Sequence, residues 1–375
     1  MIDRNIVKVI IEEKDSYPVL VITGPRQSGK TTLCRNLFNE YEYILLEDLE
    51  IQRLAKVDPK GFFSRFKGSL ILDEVQKAPE LLSYIQGIVD QPGNTRQFVL
   101  SGSENLLLSN QVSQSLAGRA RIYSLLPFSS KELKNKKLND YLLHGGYPRI
   151  YDKNLNSYTW LSQYYSTYVE KDIRNVLNIK DLDSFDKFVR ICASRVGQIL
   201  DYSNISNSIA VSSSTVKSWM SSLKSTYICF TLEPHYKNFG KRLIKSPKIY
   251  FYDTGLLCYL LKIKNEEMLE THPQYGNIFE NWVVSELFKR RLNLGQEPDY
   301  YFWRNQRGNE IDLITETQGK LDPIEIKSSK TFGESFLKNI KYLNKLQDYD
   351  KGTLIYSGDE SYNFKTTKIL SWKDI

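Results

Sequence analysis

Between Pro18 and Pro127 the chain repeats one pattern: a short apolar run rich in β-branched residues, a turn signal, and a longer stretch of helical character. The apolar runs are PVLVITG (18–24), YEYILLED (41–48), SLILDEV (69–75), QFVLSGS (97–103) and ARIYSLLP (120–127). Nearly continuous apolar runs are typical of strands covered on both faces, and strands that alternate with helices indicate a parallel sheet. The sequence therefore predicts a doubly wound α/β domain in this region.

The length and two further changes of character divide the rest of the chain. A chain of 375 residues corresponds to two or three domains at about 150 residues each. After the run KELKNKKLND the sequence becomes helical and rich in Tyr and Ser, and near Gly276 it changes to an amphipathic helix followed by strands and a second helix. We predict an α/β domain at 1–135, a helical, winged-helix-like region at 136–270 and a small α/β domain at 271–375.

Composition limits the classes of protein that remain. Lys and Arg number 51 against 44 Asp and Glu, and the net charge of +7 permits a polyanionic partner without requiring one. With 41% hydrophobic residues the chain can bury several cores, which excludes a mostly disordered protein. No run approaches the roughly 20 apolar residues of a membrane span, and the first residues lack a cleavable hydrophobic region. The sequence predicts a cytoplasmic protein.

Cysteine and histidine spacing excludes a zinc finger. The cysteines, Cys34, Cys192, Cys229 and Cys258, are far apart, and no histidine lies near them at ligand spacing. A disulfide scaffold is not expected for the same reason. The cysteines are interpreted as buried structural residues.

The segment GPRQSGKT at 24–31 matches the phosphate-binding pattern GxxxxGK[ST] between an apolar run and a helical stretch, which is the context that the motif requires. The glycines let the backbone turn its N–H groups toward phosphates, and the following helix adds its positive dipole end. We expect Lys30 to contact the β- and γ-phosphates of ATP and Thr31 to bind Mg²⁺. The expected nucleotide-binding residues of the loop are Gly24, Pro25, Arg26, Gln27, Ser28, Gly29, Lys30, Thr31 and Thr32.

A second, acidic motif is expected to complete this site. LILDEVQ at 70–76 runs along an apolar strand to Asp73 and Glu74, and ligands of open α/β sheets bind at the strand ends. Asp73 would hold the Mg²⁺ shell, and Glu74 would orient and polarise the water that attacks ATP. The two motifs together predict hydrolysis and not only binding.

Two further pairs are candidates for the same site, each with an ordinary alternative. Ser101 and Ser103 end the strand QFVLSGS, where a hydroxyl can touch the γ-phosphate or the water, although a plain turn fits equally well. Arg119 and Arg121 precede or enter the last strand, where a guanidinium can stabilise transition-state charge in its own or a neighbouring subunit. The alternative is a surface arginine at a strand start. We take Ser101 and Arg119 as the candidates for nucleotide contact and catalysis.

In the middle region, DYSNISNSIAVSSSTVKSWMSSLKSTYICF predicts two short helices with a tight turn followed by strands, which is the layout of a winged helix-turn-helix. A small helical lid with a hairpin would have the same pattern. Basic residues near Trp219 favour nucleic-acid binding, although such modules also bind proteins. These residues are Lys217, Lys224, Lys237, Lys241, Arg242 and Lys245.

The C-terminal region carries a second set of carboxylates. Asp312 lies in one predicted strand, and Glu325 and Lys327 lie on the next with one residue between them, so both point to the same face. Two converging carboxylates can hold Mg²⁺, and the lysine can position water or stabilise phosphorane charge. The pattern resembles the PD-(D/E)xK nuclease core, to which an upstream glutamate commonly contributes; Glu280 is preferred here over Glu286.

Three interpretations of these carboxylates stay open: a metal-dependent nuclease site, an inherited fold that only binds DNA or another partner, and accidental surface acids. The basic and aromatic segment FWRNQRG (302–308) and the KRR of 289–291 fit contacts to phosphates and bases. Solvated charges at a helix end and a turn would give the same pattern.

GPRQSGKT, LDEVQ, LSGS, LAGRA and HGGYPR, in this order, resemble a widespread prokaryotic family of AAA+-type ATPases. The later YVEKDI, YFYDTGL, IFENWVVSEL, FWRNQRGNEIDLI and IEIKSS match further landmarks of that family, so the resemblance covers almost the whole chain. It implies P-loop ATPase activity, a winged-helix-like middle region and a restriction-endonuclease-like C-terminal fold. The serines of LSGS stand where many relatives have Thr or Asn.

The sequence therefore favours an ATP-hydrolysing, DNA-associated AAA+-type enzyme that uses ATP and Mg²⁺. Its C-terminal half would bind, and in one interpretation cut, nucleic acid. The alternative is a nucleotide-switched signalling or scaffold protein whose C-terminal domain binds a protein partner. The sequence predicts no membrane association and does not decide among a monomer, a dimer and a ring.

Overall fold

The computed structural model describes residues 2–103, 112, 114–169, 181–235, 246–317, 319–347 and 351–375. Its first sheet is formed by β1 (Val19–Thr23), β2 (Glu42–Leu45), β3 (Leu70–Asp73), β4 (Phe98–Gly102) and β5 (Ala120–Ser124). The strand order is β2-β3-β4-β1-β5, and all neighbouring strands are parallel. The prediction of an α/β domain with a parallel sheet in this region is confirmed.

Helices cover both faces of this sheet, which explains why its central strands β1, β3 and β4 are mostly apolar and buried at every position. They are α1 (Val7–Glu13), α2 (Lys30–Leu37), α3 (Leu49–Val57), α4 (Pro59–Arg65) and α5 (Leu81–Val89). In β1, Val19 and Val21 pack into one core while Leu20 and Ile22 pack into the other. Asp48 shows how local sequence starts a helix, because its carboxylate accepts hydrogen bonds from free backbone N–H groups of α3.

The middle region is mainly helical and contains one pair of short antiparallel strands. Its helices are α6 (Ser130–Leu133), α7 (Leu138–His144), α8 (Pro148–Asp152), α9 (Ser157–Tyr164), α10 (Leu182–Ser194), α11 (Tyr202–Ile209), α12 (Ser213–Ser225), α13 (Thr254–Leu260) and α14 (Glu266–Glu270). A π-helical turn at Tyr165–Val169 continues α9. The antiparallel strands β6 (Cys229–Leu232) and β7 (Lys248–Phe251) follow α12. Two short helices followed by strands is the order expected from the sequence.

The C-terminal region builds a second, mixed sheet. Its elements are α15 (Tyr275–Asn293), β8 (Tyr301–Arg304), β9 (Glu310–Thr317), β10 (Lys320–Lys327), α16 (Lys338–Gln347), β11 (Gly352–Tyr356), β12 (Tyr362–Phe364) and β13 (Thr367–Ser371). The strand order is β12-β13-β11-β10-β9-β8. Parallel pairing joins β10, β11 and β13, whereas β8, β9 and β12 pair with antiparallel neighbours.

The helix α15 is not amphipathic, so that prediction is wrong. Its side chains are buried without a break from Asn281 to Lys289, because the helix lies between the middle region and the second sheet. Trp282 of α15 stacks on Tyr141 of α7 and contacts Trp372 near the chain end. One hydrophobic core therefore joins the middle helices, α15 and one face of the second sheet.

Two sequence expectations concern single residue types and segments. The cysteines are free and buried, which confirms their interpretation as structural residues. Within the ranges that the structure describes, no helix combines the length and the apolar character that crossing a bilayer requires.

Candidate functional site

The loop 24–31 lies at the carboxyl end of β1 and leads into α2, which begins at Lys30. Gly24 has a φ of 149°, and a Cβ at this position would lie 2.2 Å from the carbonyl oxygen of Leu125. Gly29, the N-terminal cap of α2, has a φ of 96°. Both positions require glycine, and the loop they permit places the free N–H end of α2 at the sheet edge, where anions bind.

The Lys30 side chain folds back over this loop. Its Nζ donates hydrogen bonds of 2.9 Å to the carbonyl oxygens of Gly24 and Pro25. Burial lowers the pKa of Lys30, although the carboxylates of Glu74 and Asp73 act in the opposite direction. A buried cation held only by neutral carbonyls is suited to an anionic ligand.

Asp73, at the end of β3, gathers hydroxyl groups around its carboxylate. Oδ2 accepts hydrogen bonds of 2.7 Å from Thr31 Oγ1 and from Tyr43 OH. Oδ1 accepts from Ser101 Oγ and, at 3.1 Å, from the backbone N–H of Glu74. The Thr31 hydroxyl and the Asp73 carboxylate are hard oxygen donors of the kind that Mg²⁺ prefers, so the residues fit this metal. Ser101 contacts Asp73 from the neighbouring strand β4 and is itself buried.

Glu74 has a left-handed backbone with a φ of 57°, so its side chain departs from the alternation of β3. Its Oε2 accepts a hydrogen bond from Gln76 Nε2 and, at 3.4 Å, one from Ser103 Oγ. The two predicted serines therefore serve different carboxylates, Ser101 the one at Asp73 and Ser103 the one at Glu74. The role of Gln76 was not predicted.

A polar cavity of about 590 Å³ opens beside the loop. The side chains and backbone that line it belong to Arg26, Gln27, Gly29, Lys30, Thr31, Thr32, Glu47, Glu74, Pro148, Arg149, Asp152, Lys153 and Tyr168. One wall comes from the middle region, at α8 and the π-helical turn. The cavity brings the expected loop residues together with Glu74, and it adds Arg149 and Lys153, which were not predicted as site residues.

A second, mainly apolar cavity of about 340 Å³ adjoins the first. Both cavities are lined by Gly29, Thr32, Pro148 and Asp152. The remaining lining residues of the second cavity are Ile2, Asp3, Arg4, Val7, Ser28, Leu33, Asn36, Leu37 and Phe128. Ser28 Oγ is buried and has no hydrogen-bond partner in the described part of the chain. A polar compartment next to an apolar one suits a ligand with a charged end and a flat, apolar end.

The wall formed by α8 is held by a buried carboxylate. Asp253 Oδ2 accepts a 2.7 Å hydrogen bond from the backbone N–H of Gly146, and Oδ1 caps α13 at the N–H of Leu256. Gly145 has a φ of 66°, and a Cβ on it would lie 2.2 Å from Asp253 Oδ1. The glycines of HGGYPR thus allow the close approach that fixes Pro148 and Arg149 beside the loop. The paired glycines of this motif are the sequence signal from which the wall could have been predicted.

Tyrosines of α9 and its π-helical turn contact the loop directly. Tyr168 OH accepts a 3.2 Å hydrogen bond from Gln27 Nε2, and Tyr164 OH donates one of 3.3 Å to the carbonyl oxygen of Arg26. The Arg26 guanidinium also lies 5.7 Å from the centroid of the Tyr168 ring. The middle region therefore contacts the loop through these tyrosine side chains as well as through α8.

Arg119 and Arg121 lie near the amino-terminal ends of the strands of the first sheet, whereas the loop lies at the carboxyl-terminal ends. The first residue of β5 pairs with the first residue of β1, whereas the loop follows the last residue of β1. Arg119 forms an ion pair with Asp90, with 2.5 Å between Nε and Oδ1, and Arg121 forms one of 2.7 Å with Glu13. The prediction that Arg119 acts on ATP bound to its own chain is wrong, because the five-residue length of the strands separates Arg119 from the loop. An action on a neighbouring copy stays a prediction.

In the second sheet the predicted carboxylates meet their lysine. Lys327 Nζ lies 2.6 Å from Glu325 Oε2 and 3.4 Å from Asp312 Oδ2. Glu325 is 1% exposed and Asp312 is 8% exposed, so their interpretation as accidental surface acids is wrong. Burial, together with the negative charge of Asp312, raises the pKa of Glu325 to about 8.

A further buried lysine adjoins this group. Lys248 of β7 is 2% exposed, and its Nζ lies 2.5 Å from Glu310 Oε1 and 3.5 Å from Glu280 Oε1. Tyr250 OH donates a 2.6 Å hydrogen bond to Glu280 Oε1. Burial alone would lower the pKa of Lys248, but the charges of Glu280, Tyr250 and Glu310 outweigh it and raise the pKa well above its usual value. Glu286 pairs with Lys289 instead, so Glu280 is the glutamate of α15 in this cluster.

Ion pairs engage the carboxylates of this cluster that were predicted to bind a metal. Among the residues with described positions, no three carboxylate, histidine or cysteine side chains are arranged to hold a metal ion. Both Asp312 and Glu325 are engaged by Lys327. Glu325 Oε1, by contrast, is buried and has no hydrogen-bond partner among the described residues, so the Mg²⁺ site at these two carboxylates stays a prediction.

The basic residues of the middle region are described in part. Lys217 and Lys224 are exposed on α12, whereas Trp219 of the same helix is buried. Lys237, Lys241, Arg242 and Lys245 lie outside the described residues. Lys289 is buried and its Nζ lies 2.9 Å from Glu286 Oε1, so it is not a surface cation for a partner.

Three families match consecutive parts of the chain. The family described as an AAA domain matches residues 16–134. A domain of unknown function, DUF8612, matches residues 135–267, and another, DUF4143, matches residues 275–375. The AAA-domain match covers the parallel sheet with the loop, Asp73 and Glu74.

The curated relatives match more than three quarters of this chain. The uncharacterized protein Rv2008c of Mycobacterium tuberculosis is 31% identical over 319 residues, which are 84% of this chain and 71% of that protein. An uncharacterized protein of Haemophilus influenzae is 26% identical over 330 residues, covering 77% of this chain and 79% of its own length. Among solved structures, the Walker-type ATPase of Pyrococcus abyssi is similar at 17% identity and a TM-score of 0.45, covering 70% of this chain and 96% of that chain.

Proposed function

Because this chain belongs to the same family as the uncharacterized Mycobacterium tuberculosis protein, and its residues 16–134 match an AAA domain, we propose that it binds ATP with Mg²⁺ in the polar cavity and hydrolyses the bond between the β- and γ-phosphates. One observation carries the proposal: the buried Lys30, the Thr31–Asp73 pair and Glu74 converge at the cavity beside a helix N-terminus. Those are the groups that phosphoryl transfer from a nucleotide requires.

Each side chain has a role in this proposal. Lys30 and Arg149 bind phosphate oxygens, and Thr31 with Asp73 would hold Mg²⁺. The metal, when bound, neutralises charge on the phosphates. Glu74 orients the attacking water and accepts its proton. Ser101 keeps the Asp73 carboxylate turned toward Thr31.

The apolar cavity supports a purine as the other end of the ligand. Its lining includes Leu33 and Leu37 from α2 and Phe128 from the segment after β5. The Arg4 guanidinium lies 4.6 Å from the centroid of the Phe128 ring and holds that ring in place. We assign the base to this cavity and the phosphates to the polar one.

Phosphate release by the purified chain tests the hydrolysis. We expect steady phosphate release with ATP and Mg²⁺, and Lys30→Ala to weaken ATP binding by about 10- to 100-fold, since charge-assisted hydrogen bonds of about 1.5–3 kcal/mol are lost. Lys56→Ala, an exposed lysine of α3, is the matched control and should change neither binding nor turnover. Absence of phosphate release by the wild-type chain would refute the proposed activity.

DNA is the partner that we propose for the middle region. The exposed face of α12 carries Lys217, Ser218, Ser221 and Lys224, and this helix contains no acidic residue. Ser212 caps α12 by accepting a hydrogen bond from the N–H of Thr215, and Ser212 and Ser214 at the start of the helix are exposed. Lysine and hydroxyl side chains on one helix face suit a phosphate backbone.

Salt dependence of binding tests the DNA proposal. We expect duplex DNA to bind with an affinity that falls at least about 10-fold between roughly 50 and 200 mM salt, and Lys217→Glu to weaken binding, whereas the control Lys56→Glu changes it little. Binding that is absent or insensitive to salt and to Lys217→Glu would contradict the proposal and favour the alternative, a nucleotide-switched scaffold for a protein partner.

A nuclease-like role for the second sheet is the finer part of the proposal. It is supported by the common face of Asp312, Glu325 and Lys327, and it is opposed by the ion pairs that Lys327 forms with one oxygen of each carboxylate. We propose that the domain built on the second sheet has a restriction-endonuclease-like fold that serves binding of a partner more than cutting. Mg²⁺-dependent cutting of DNA that Asp312→Ala abolishes would overturn this view in favour of an active nuclease.

A further inference from the structure

The residue Gln76 contacts the proposed catalytic base but has no assigned role. It lies in the 3₁₀ turn Val75–Lys77, which begins directly after Glu74. Its Nε2 donates to Glu74 Oε2 and lies 3.3 Å from Ser103 Oγ, which also contacts Glu74 Oε2 at 3.4 Å. One oxygen of Glu74 is therefore held by two neighbours from different segments of the chain.

The other oxygen of Glu74, Oε1, receives no hydrogen bond from any side chain or backbone group of the residues that the structure describes. Glu74 lines the polar cavity. A carboxylate that is fixed at one oxygen and unoccupied at the other has a defined direction for its remaining lone pairs. This is the geometry that a general base needs toward a water in the cavity.

The orientation of the Gln76 amide does not satisfy all of its own hydrogen-bonding groups. Its Oε1 is buried and has no hydrogen-bond partner among the described residues. A buried amide oxygen without a donor is unfavourable, and native structures retain such groups mostly where function requires them. The amide thus keeps its contact with Glu74 although its other end stays unsatisfied.

We propose that Gln76 is a positioning residue for ATP hydrolysis, which fixes Glu74 so that Oε1 accepts the proton of the attacking water. This inference rests on the proposed function. In the step, the water oxygen forms a bond to the γ-phosphorus while the bond to the bridging oxygen breaks. ADP leaves, and the proton taken by Glu74 passes to phosphate or solvent. Ser103 shares the task through the same Oε2.

Turnover of variants tests this role. Gln76→Ala should lower kcat by about 10- to 100-fold, as expected for a lost hydrogen bond to a charged group, while the ATP dissociation constant changes less than about twofold. Gln76→Glu keeps the volume but replaces the donor with a like charge, and it should lower kcat at least as much. Gln52 donates a 3.1 Å hydrogen bond to the Lys77 carbonyl of the same turn, so Gln52→Ala is the matched control and should keep kcat.

A double variant separates positioning from a merely structural role. If Gln76 acts through Glu74, Gln76→Ala should have almost no further effect on single-turnover hydrolysis in a Glu74→Gln background. Equal losses in both backgrounds, or an unchanged kcat for both Gln76 variants in an active protein, would overturn the inference and leave the proposed function standing. A wild-type chain that releases no phosphate would instead refute the proposed function, and the inference with it.

Discussion

Replacing Glu74 with Gln is expected to stop ATP turnover while ATP remains bound. The amide keeps the shape of the side chain and its place at the cavity, but it cannot accept a proton from water. Loss of a general base lowers rates by about 10²- to 10⁴-fold. Phosphate release should fall by this factor in Glu74→Gln, and equilibrium binding of ATP with Mg²⁺ should stay within a few-fold of the wild-type value.

The control for this prediction is a more exposed glutamate of the same cavity that lies outside the proposed catalytic group. Glu47 lines the same cavity, where its Oε1 lies 4.0 Å from the Arg26 guanidinium. Glu47→Gln should retain most of the turnover, since Glu47 contacts neither Asp73 nor Thr31. Unchanged turnover in Glu74→Gln would contradict the assignment of the base, and equal losses in both variants would indicate a general effect of charge in the cavity.

Replacing Lys248 with Met is expected to destabilise the protein by about 3–5 kcal/mol, because it leaves buried carboxylates without their cation. Lys248 is 2% exposed and pairs with Glu310 and Glu280, which come from two other elements. β7, α15 and β9 meet at this lysine, so the loss is not confined to one element. Urea titration, monitored by a probe in the C-terminal sheet, measures the change in the free energy of unfolding.

Lys341→Met is the matched control. Lys341 Nζ lies 2.8 Å from Glu334 Oε1, a distance similar to that of the buried pair, but both side chains are about half exposed. Exposed ion pairs contribute about 0–1 kcal/mol, so this variant should unfold at nearly the wild-type urea concentration. A loss of less than about 1 kcal/mol in Lys248→Met would show that the cluster does not stabilise the junction of these elements.

Much of the first sheet was predictable because its central strands are mostly apolar runs. The run PVLVITG is short, rich in β-branched residues and bounded by turn signals, which favours a covered strand, and both faces of β1 are buried. The loop, Asp73 and Glu74 were predictable for a related reason, since their place at strand ends follows from parallel topology. The contact between Thr31 and Asp73 was also predictable, because GPRQSGKT and LILDEVQ were both expected to bind the same Mg²⁺.

The strand order and the second wall of the cavity were not predictable. That β4 lies between β1 and β3, which brings Ser101 to Asp73, depends on packing between distant segments. Arg149 lies beside the loop in a segment whose backbone is held at Gly146 by Asp253, 107 residues farther along the chain. No local pattern encodes such a contact, although the paired glycines of HGGYPR were a signal of close approach.

Side-chain roles that depend on partners were the least predictable. Arg119 has the residue type and neighbourhood of a catalytic arginine, but the register of β5 against β1 places it at the wrong sheet edge for its own chain. Asp312, Glu325 and Lys327 share a face as the alternation of strands predicted, yet the buried Lys248 that adjoins them comes from another region. Its burial could be learned only from the packing of β7 against α15.

A crystal structure with a non-hydrolysable ATP analogue and Mg²⁺ tests the central claim most directly. We expect the phosphates at the 24–31 loop with Lys30 and Arg149 in contact, the metal at Thr31 and Asp73, and the base in the apolar cavity beside Phe128. A nucleotide bound elsewhere, or phosphates that leave Lys30 on the carbonyls of Gly24 and Pro25, would contradict the account.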